Sequence, residues 1–229
     1  MPSLVSVNLG AARPTTHSDI GYTGIDKRPT TGPVLVRAPG RKGIGGSGLV
    51  GDRVCDLRNH GGDDQAVYAY AREDLDRWAA DLGRPLASGA FGENLTTEGI
   101  DITGALIGER WQLGDEVVVE VSCPRIPCRT FAGWLGERGW VKTFTERAVP
   151  GAYLRVIEPG FIEAGHPVRI TFRPGHDVTV GVAFRAATTE PDLLPRLLVA
   201  DALHPEAMDA ARRRVPLELD DKEPRPAAT

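Results

Sequence analysis

Cysteine is scarce in this chain: three in 229 residues, too few and too odd a number for a disulfide-stapled scaffold. That count fits a reducing compartment, and each thiol then needs its own explanation. Long apolar runs are missing as well, since no stretch approaches the roughly 20 residues that cross a bilayer as a helix. Met1 to Gly10 has neither the basic run nor the apolar stretch of a secretory leader. The expectation is a cytoplasmic protein with no membrane partner. Neither sign of charge dominates: 27 Lys and Arg against 31 Asp and Glu give a net charge of −4, without the cationic surplus that neutralises nucleic-acid phosphates. No internal repeat is present, which removes solenoids and propellers.

What is present is a hydrophobic fraction of 41%, enough at this length to bury a real core and to hold one large domain with an appendage. Over the first 172 residues the pattern is of short β-runs between Gly and Pro: Leu4 to Asn8, Val34 to Arg37, Ala66 to Tyr70, Val117 to Val121, Tyr153 to Ile157 and Val168 to Phe172. Ile107 to Asp115 alternates apolar and polar residues into a Gly-Asp turn and predicts a hairpin. Many short strands point to a barrel or sandwich. Arg72 to Leu82 predicts a helix, with Leu75, Trp78, Ala79 and Leu82 on one face and Glu73, Asp74 and Asp76 in the first turns. Thr130 to Leu135 and Trp140 to Arg147 predict two shorter ones. Beyond His176 the pattern turns helical, over Val180 to Ala187, Asp192 to Ala200 and a segment opened by His204-Pro205. The fold class is therefore mainly β with helices, α+β, divided into a barrel-like domain at 1–172, a small three-helix unit at 173–216 and a loose tail at 217–229.

Chemistry concentrates where the strand from Val117 runs into Cys123-Pro-Arg-Ile-Pro-Cys128. Pro124 and Pro127 fix φ and restrict the residues before them, so Cys128 is presented at a rigid strand end. Arg125 and the N–H groups of a helix starting near Thr130 favour a thiolate there, the form a soft metal takes as ligand. The plainer reading, a small buried hydrophobe, stands beside it. Cys55 shares a strand face with Leu57 and reads as core. Gly48-Leu-Val-Gly-Asp52 with Arg53, and His60-Gly-Gly-Asp63, place glycines among a His, an Arg and carboxylates; Gly61 and Gly62 would allow close backbone approach to an anion, or simply form turns. Lys27 and Arg28 suit a phosphate or a solvated hairpin tip, and Asn94 suits a heterocycle edge or a turn cap. Cys55, His60, Cys123 and Cys128 together offer the four N/S ligands of a structural zinc, at loose spacing.

In order and number these segments resemble the MOSC domain family: Thr23-Gly-Ile-Asp-Lys27, Gly48 to Asp52, His60-Gly-Gly-Asp63 with Ala66 to Tyr70, Phe91-Gly-Glu-Asn94, Gly108 to Asp115, and Pro124-Arg-Ile-Pro-Cys128. The part after residue 172 resembles the three-helix domain that follows the MOSC domain in a bacterial branch of that family. The resemblance implies a β-barrel-like fold holding a molybdenum-pterin cofactor, with Cys128 as the protein ligand to molybdenum. It implies reduction of N-hydroxylated small molecules to amines, with electrons from a separate flavin or haem partner, and His60 as a proton donor. Lys27, Arg53 and Arg125 would face the pterin phosphate, Asn94 and Asp63 the pterin ring, and Gly61 and Gly62 would let it approach the backbone. The alternative is a non-catalytic carrier of the cofactor or of sulfur. Two residues depart from the family pattern: Cys123, where a non-thiol is common, and Gln65, where a basic residue is.

Overall fold

The computed structural model describes residues 1–217 together with 219 and 220. Of the tail expected at 217–229, residues 218 and 221–229 lie outside the described ones. Twelve strands and five α-helices follow in the order β1 (Ser3–Gly10), β2 (Arg13–Pro14), β3 (Tyr22–Thr23), β4 (Lys27–Pro29), β5 (Val34–Val36), β6 (Val67–Ala71), α1 (Arg72–Leu82), β7 (Leu95–Glu98), β8 (Arg110–Leu113), β9 (Val117–Pro124), α2 (Arg129–Leu135), α3 (Trp140–Arg147), β10 (Ala152–Glu158), β11 (Gly160–Ile162), β12 (Val168–Phe172), α4 (Val180–Ala187) and α5 (Pro205–Arg213) among the described residues. One sheet carries eight of the strands in the order β12-β8-β9-β10-β6-β7-β1-β4. Among the strands of this sheet only β6 and β7 pair in parallel, and α1 makes the crossover such a pair requires.

The sheet curls but does not close into the expected barrel. The start of β1 and the residue before β12 meet at an isolated bridge, Ser3 to Pro167, flanked by Leu4 N–H donating to the His166 carbonyl at 2.9 Å, Gly165 N–H to that of Leu4 at 2.7 Å and Val168 N–H to that of Pro2 at 2.9 Å. Pro2 has no N–H to return to Val168, and the His166 N–H goes to the Glu163 carbonyl at 3.3 Å, so the pairing does not extend into a ladder.

The β6 sequence Val-Tyr-Ala-Tyr-Ala is buried on both faces. Its alternation sends Val67, Ala69 and Ala71 into the sheet's aliphatic core and Tyr68 and Tyr70 into a second, aromatic core with Trp78, Phe91, Phe131, Trp140 and Phe144. That second core packs α1, α2 and α3 onto the sheet and forms the ground on which the functional cleft stands. The tyrosine hydroxyls are not stranded in it: Tyr68 donates to the Pro150 carbonyl and Tyr70 to that of Val149, both at 2.8 Å.

After β12 come α4, a 3₁₀ segment Pro191–Val199, and α5. The middle segment was expected as a helix like the others. Pro195 inside it lacks the N–H an α-ladder needs, and the tighter 3₁₀ winding results. Thr179 caps α4 through its hydroxyl, which accepts the Val182 N–H at 3.1 Å. Phe184 of α4 reaches the aromatic core, while Val180, Ala183 and Leu194 join the aliphatic one. Arg155 ties these helices to the sheet by donating to the Ala202 carbonyl at 2.6 Å and to Asp64 at 2.5 Å. No helix among the described residues is long and apolar enough to cross a membrane.

Candidate functional site

Strand β9 ends at Pro124, and the turn that follows delivers Cys128 to the N-cap position of α2 in extended conformation, φ −140° and ψ 168°. Arg125, within that turn, is folded back and buried. Its guanidinium lies 3.9 Å from the centre of the Phe131 ring and 5.1 Å from that of Tyr68, and it donates to the Phe91 carbonyl. Glu93, itself buried, holds that carbonyl in place by accepting the N–H of Gly89 at 2.5 Å and of Phe91 at 3.0 Å. A full positive charge is thereby fixed in low dielectric beside Cys128.

The consequence is a thiol of unusual acidity. Burial alone would raise its pKa, but a hydrogen bond from His60, the charge of Arg125, the charge His60 can carry and the Phe131 N–H together bring it down to about 7. Alkylation of Cys128 by iodoacetamide, followed by peptide mapping, is expected to show a rate that rises through a midpoint near pH 7. Arg125→Met should shift that midpoint upward. A midpoint at the ordinary thiol value in the unmutated chain would contradict the electrostatics described.

Below Cys128 lies a cleft of about 770 Å³, its open mouth included, lined among others by Lys27, Cys55, Asp56, His60, Gly61, Gln65, Tyr68, Gly92, Asn94, Arg125, Cys128 and Tyr153. A second groove of about 1380 Å³ runs between the sheet and helices α4 and α5. The two share Ser18, Asp56, His60, Gln65, Cys128, Thr130 and Tyr153, so Cys128 stands at their junction.

Lys27, His60, Gly61, Asn94, Arg125 and Cys128 are thus brought together; Arg53, Gly62 and Asp63 do not line either space. Arg53 is exposed, with its carbonyl packed against Gly24. Asp63 turns away to accept the Gly40 N–H at 2.8 Å, and a Cβ on Gly62 would strike Lys42 backbone, not a ligand. Gly61 lines the cleft, but the close approach it permits is to the chain itself: φ is 80°, and a Cβ there would lie 2.8 Å from the Gly46 carbonyl oxygen. Two of the lining residues are already engaged. Lys27 Nζ holds both Asp52 oxygens at 2.5 and 2.6 Å. Asn94 donates to Asp52 at 2.9 Å and to the Asn8 carbonyl at 3.3 Å, and accepts the Tyr68 N–H at 3.1 Å. Burial works against the Asp52 carboxylate, yet Lys27 and the Gly10 N–H hold it below the usual range.

The sequence reading did not single out Asp56, Tyr68 or Tyr153, and treated Gln65 only as a missing cation. Gln65 Oε1 is buried with no hydrogen-bond partner, a free acceptor in the walls of both spaces. The β6 alternation was the available signal for Tyr68; Tyr153 pairs with Cys123 across β9 and β10, a register no local pattern specifies. Cys55, expected in the core, is half-buried in the cleft wall, its thiol pushed up by burial. Cys123 is buried and pushed up to about 12 by desolvation. All three cysteines are free, and no three His, Cys, Asp or Glu side chains among the described residues converge as a metal site. The zinc alternative therefore has no geometry to support it.

The MOSC domain model matches residues 56–169, which include the His60 loop and the Cys128 turn. The uncharacterised protein YflK of Bacillus subtilis is 37% identical over 186 residues, covering 80% of this chain and 79% of that one. A protein named Reductase from Gibberella moniliformis is 32% identical over 158 residues, 66% of this chain but 26% of that longer protein. The crystal structure of YiiM from Geobacillus stearothermophilus superposes with a TM-score of 0.76 at 26% identity, covering 94% of this chain and all of that one. On the family match, the extent of these likenesses and the placement of Cys128, the chain belongs to the MOSC domain family.

Proposed function

We propose that this protein is a molybdenum-cofactor-dependent oxidoreductase that reduces N-hydroxylated small molecules to amines, with Cys128 as its ligand to the metal. The observation that carries the reading is the acidic Cys128 thiol at the meeting point of two spaces, one to hold a cofactor and one to admit a substrate. MOSC domains as a family are associated with this cofactor, and a fungal relative bears the name Reductase.

The inner cleft fits the group. A thiolate is the donor a soft metal selects, and the unpartnered Gln65 Oε1 awaits a ring N–H. Arg125 and Lys27 are the lining cations for an anionic side chain, with Lys27 already shared with Asp52. When bound, the cofactor would supply a centre that gives two electrons and takes up an oxygen atom. The chain's part is to keep Cys128 ionised and to orient the N–OH group from the outer groove. His60, which borders both spaces, hands a proton toward the departing nitrogen. In sum the N–O bond breaks, two electrons and two protons are taken up, and amine and water leave. The electrons come from a separate flavin or haem protein.

The reading is tested by supplying reduced methyl viologen to molybdenum-loaded protein with an aromatic hydroxylamine. One amine formed per two viologen radicals oxidised is the expected result. Full molybdenum occupancy with no amine, or a persulfide on Cys128 with no amine, would instead identify a carrier of cofactor or of sulfur.

A further inference from the structure

We infer that the outer groove is a substrate-binding site selective for small organic cations with an apolar body, Asp56 receiving the positive end and Ala207 setting the width. The inference rests on the oxidoreductase reading for the claim that what binds there is turned over; the binding itself stands on the groove.

Three observations point to it. The groove includes Cys128 in its wall but neither Lys27 nor Asn94, which line the inner cleft, so a ligand there meets the thiol without contacting those two. Its helical wall is built from Ala183, Ala187 and Ala207 with Leu203, small side chains that leave an apolar channel where larger ones would fill it. Its charge is unbalanced. Asp19, Asp56, Glu206 and Asp220 line it against Lys42 and Arg129 among the described residues. Lys42 is paired to Glu206 at 2.7 Å, and Arg129 to Asp19 and, at 3.6 Å, to Asp220. Among the described residues Asp56 is paired with no Lys or Arg of the groove, and His60 is the neighbour there that can carry positive charge: its oxygens accept Asn59 Nδ2 at 2.7 Å and the Arg58 N–H at 3.2 Å, and its ion pair is with the largely exposed Arg58 outside the groove at 3.6 Å. It sits at the junction, one turn before His60, whose N–H donates to the Asp56 carbonyl at 3.0 Å. A carboxylate so placed attracts a cation and repels an anion of equal size.

The test uses the full chain loaded with cofactor and three probes of one shape, benzylamine, benzyl alcohol and benzoate, titrated calorimetrically at pH 7. Benzylamine, protonated at that pH, is expected to bind at least about tenfold more tightly than benzyl alcohol, and benzoate most weakly. Asp56→Asn should erase the preference for the cation and leave benzyl alcohol unchanged. Ala207→Phe, at a half-buried position, should weaken all three probes about tenfold or more while molybdenum and pterin content stay at the unmutated level. Benzoate binding as tightly as benzylamine, or a preference that survives Asp56→Asn, overturns the proposal; so does loss of cofactor from folded Ala207→Phe, which would give the groove to the cofactor. If Ala207→Phe does not fold, the Asp56→Asn series decides alone. Protein that carries no molybdenum defeats the oxidoreductase reading, whereas the order of the three probes judges the groove.

Discussion

Cys128→Ser is expected to fold as well as the unmutated protein and to lose on the order of a thousandfold or more in reduction of N-hydroxylated substrates. Both halves follow from the position. Cys128 is the N-cap residue of α2 and offers the Phe131 N–H only a weak sulfur acceptor, whereas serine is among the residues most favoured there, so the helix keeps or gains stability. The hydroxyl, however, does not ionise near neutrality whatever Arg125 and His60 contribute, and a hard neutral oxygen replaces a soft anionic sulfur. Circular dichroism and thermal melts beside the viologen assay separate the two effects. Activity retained within tenfold would remove Cys128 from the chemistry.

The second large effect concerns the floor of the cleft. Lys27→Met leaves the Asp52 carboxylate buried without its counter-charge, and a loss of about 3–5 kcal/mol is expected. For a chain of this size that is a fall in melting temperature of roughly 6–20 °C. The pH dependence gives an internal check. The folded-state pKa of Asp52 lies below its unfolded value, so its contribution is fully present above the unfolded pKa and is lost as pH falls through the folded one. The penalty of Lys27→Met should therefore be greatest near neutrality and shrink in acid, where the stranded carboxylate protonates. Urea titrations at pH 7 and pH 4 read this directly; a loss under 1 kcal/mol, or one that grows in acid, would show that the pair is not the buried contact described.

Elements with a strong local period were legible in the sequence. Arg72–Leu82 and Trp140–Arg147 form as the apolar spacing requires, and Val168–Phe172 is a strand over the expected span. The brief strands β2, β3, β4 and β11 were not, because two or three residues carry no periodicity and exist only through the partner they meet. Closure was misread for the same reason: alternation says which face is buried, not whether β12 reaches β1, and Pro2, with no N–H to return across the bridge, bears on that at one point.

At the site, Cys128 and Arg125 were visible because prolines on either side freeze the turn that carries them. The engagements of Lys27 and Asn94 were not, since Asp52 is brought to them by long-range folding from 25 and 42 residues away. Gln65 and Asp56 gave no signal as types; the first matters because its acceptor has no partner, the second because its neighbours' charges are matched and its own is paired with no Lys or Arg of the groove. Both facts belong to the assembled cleft and to no stretch of sequence.

The central claim is that Cys128 binds molybdenum held by a pterin in the inner cleft. It is tested most directly by metal and pterin analysis of protein made in a host that synthesises the cofactor, with Cys128→Ser prepared alongside. About one molybdenum and one pterin per chain, with the metal lost from the folded variant, is the predicted result. Unmutated protein carrying neither, or a variant that keeps its molybdenum in full, would contradict it.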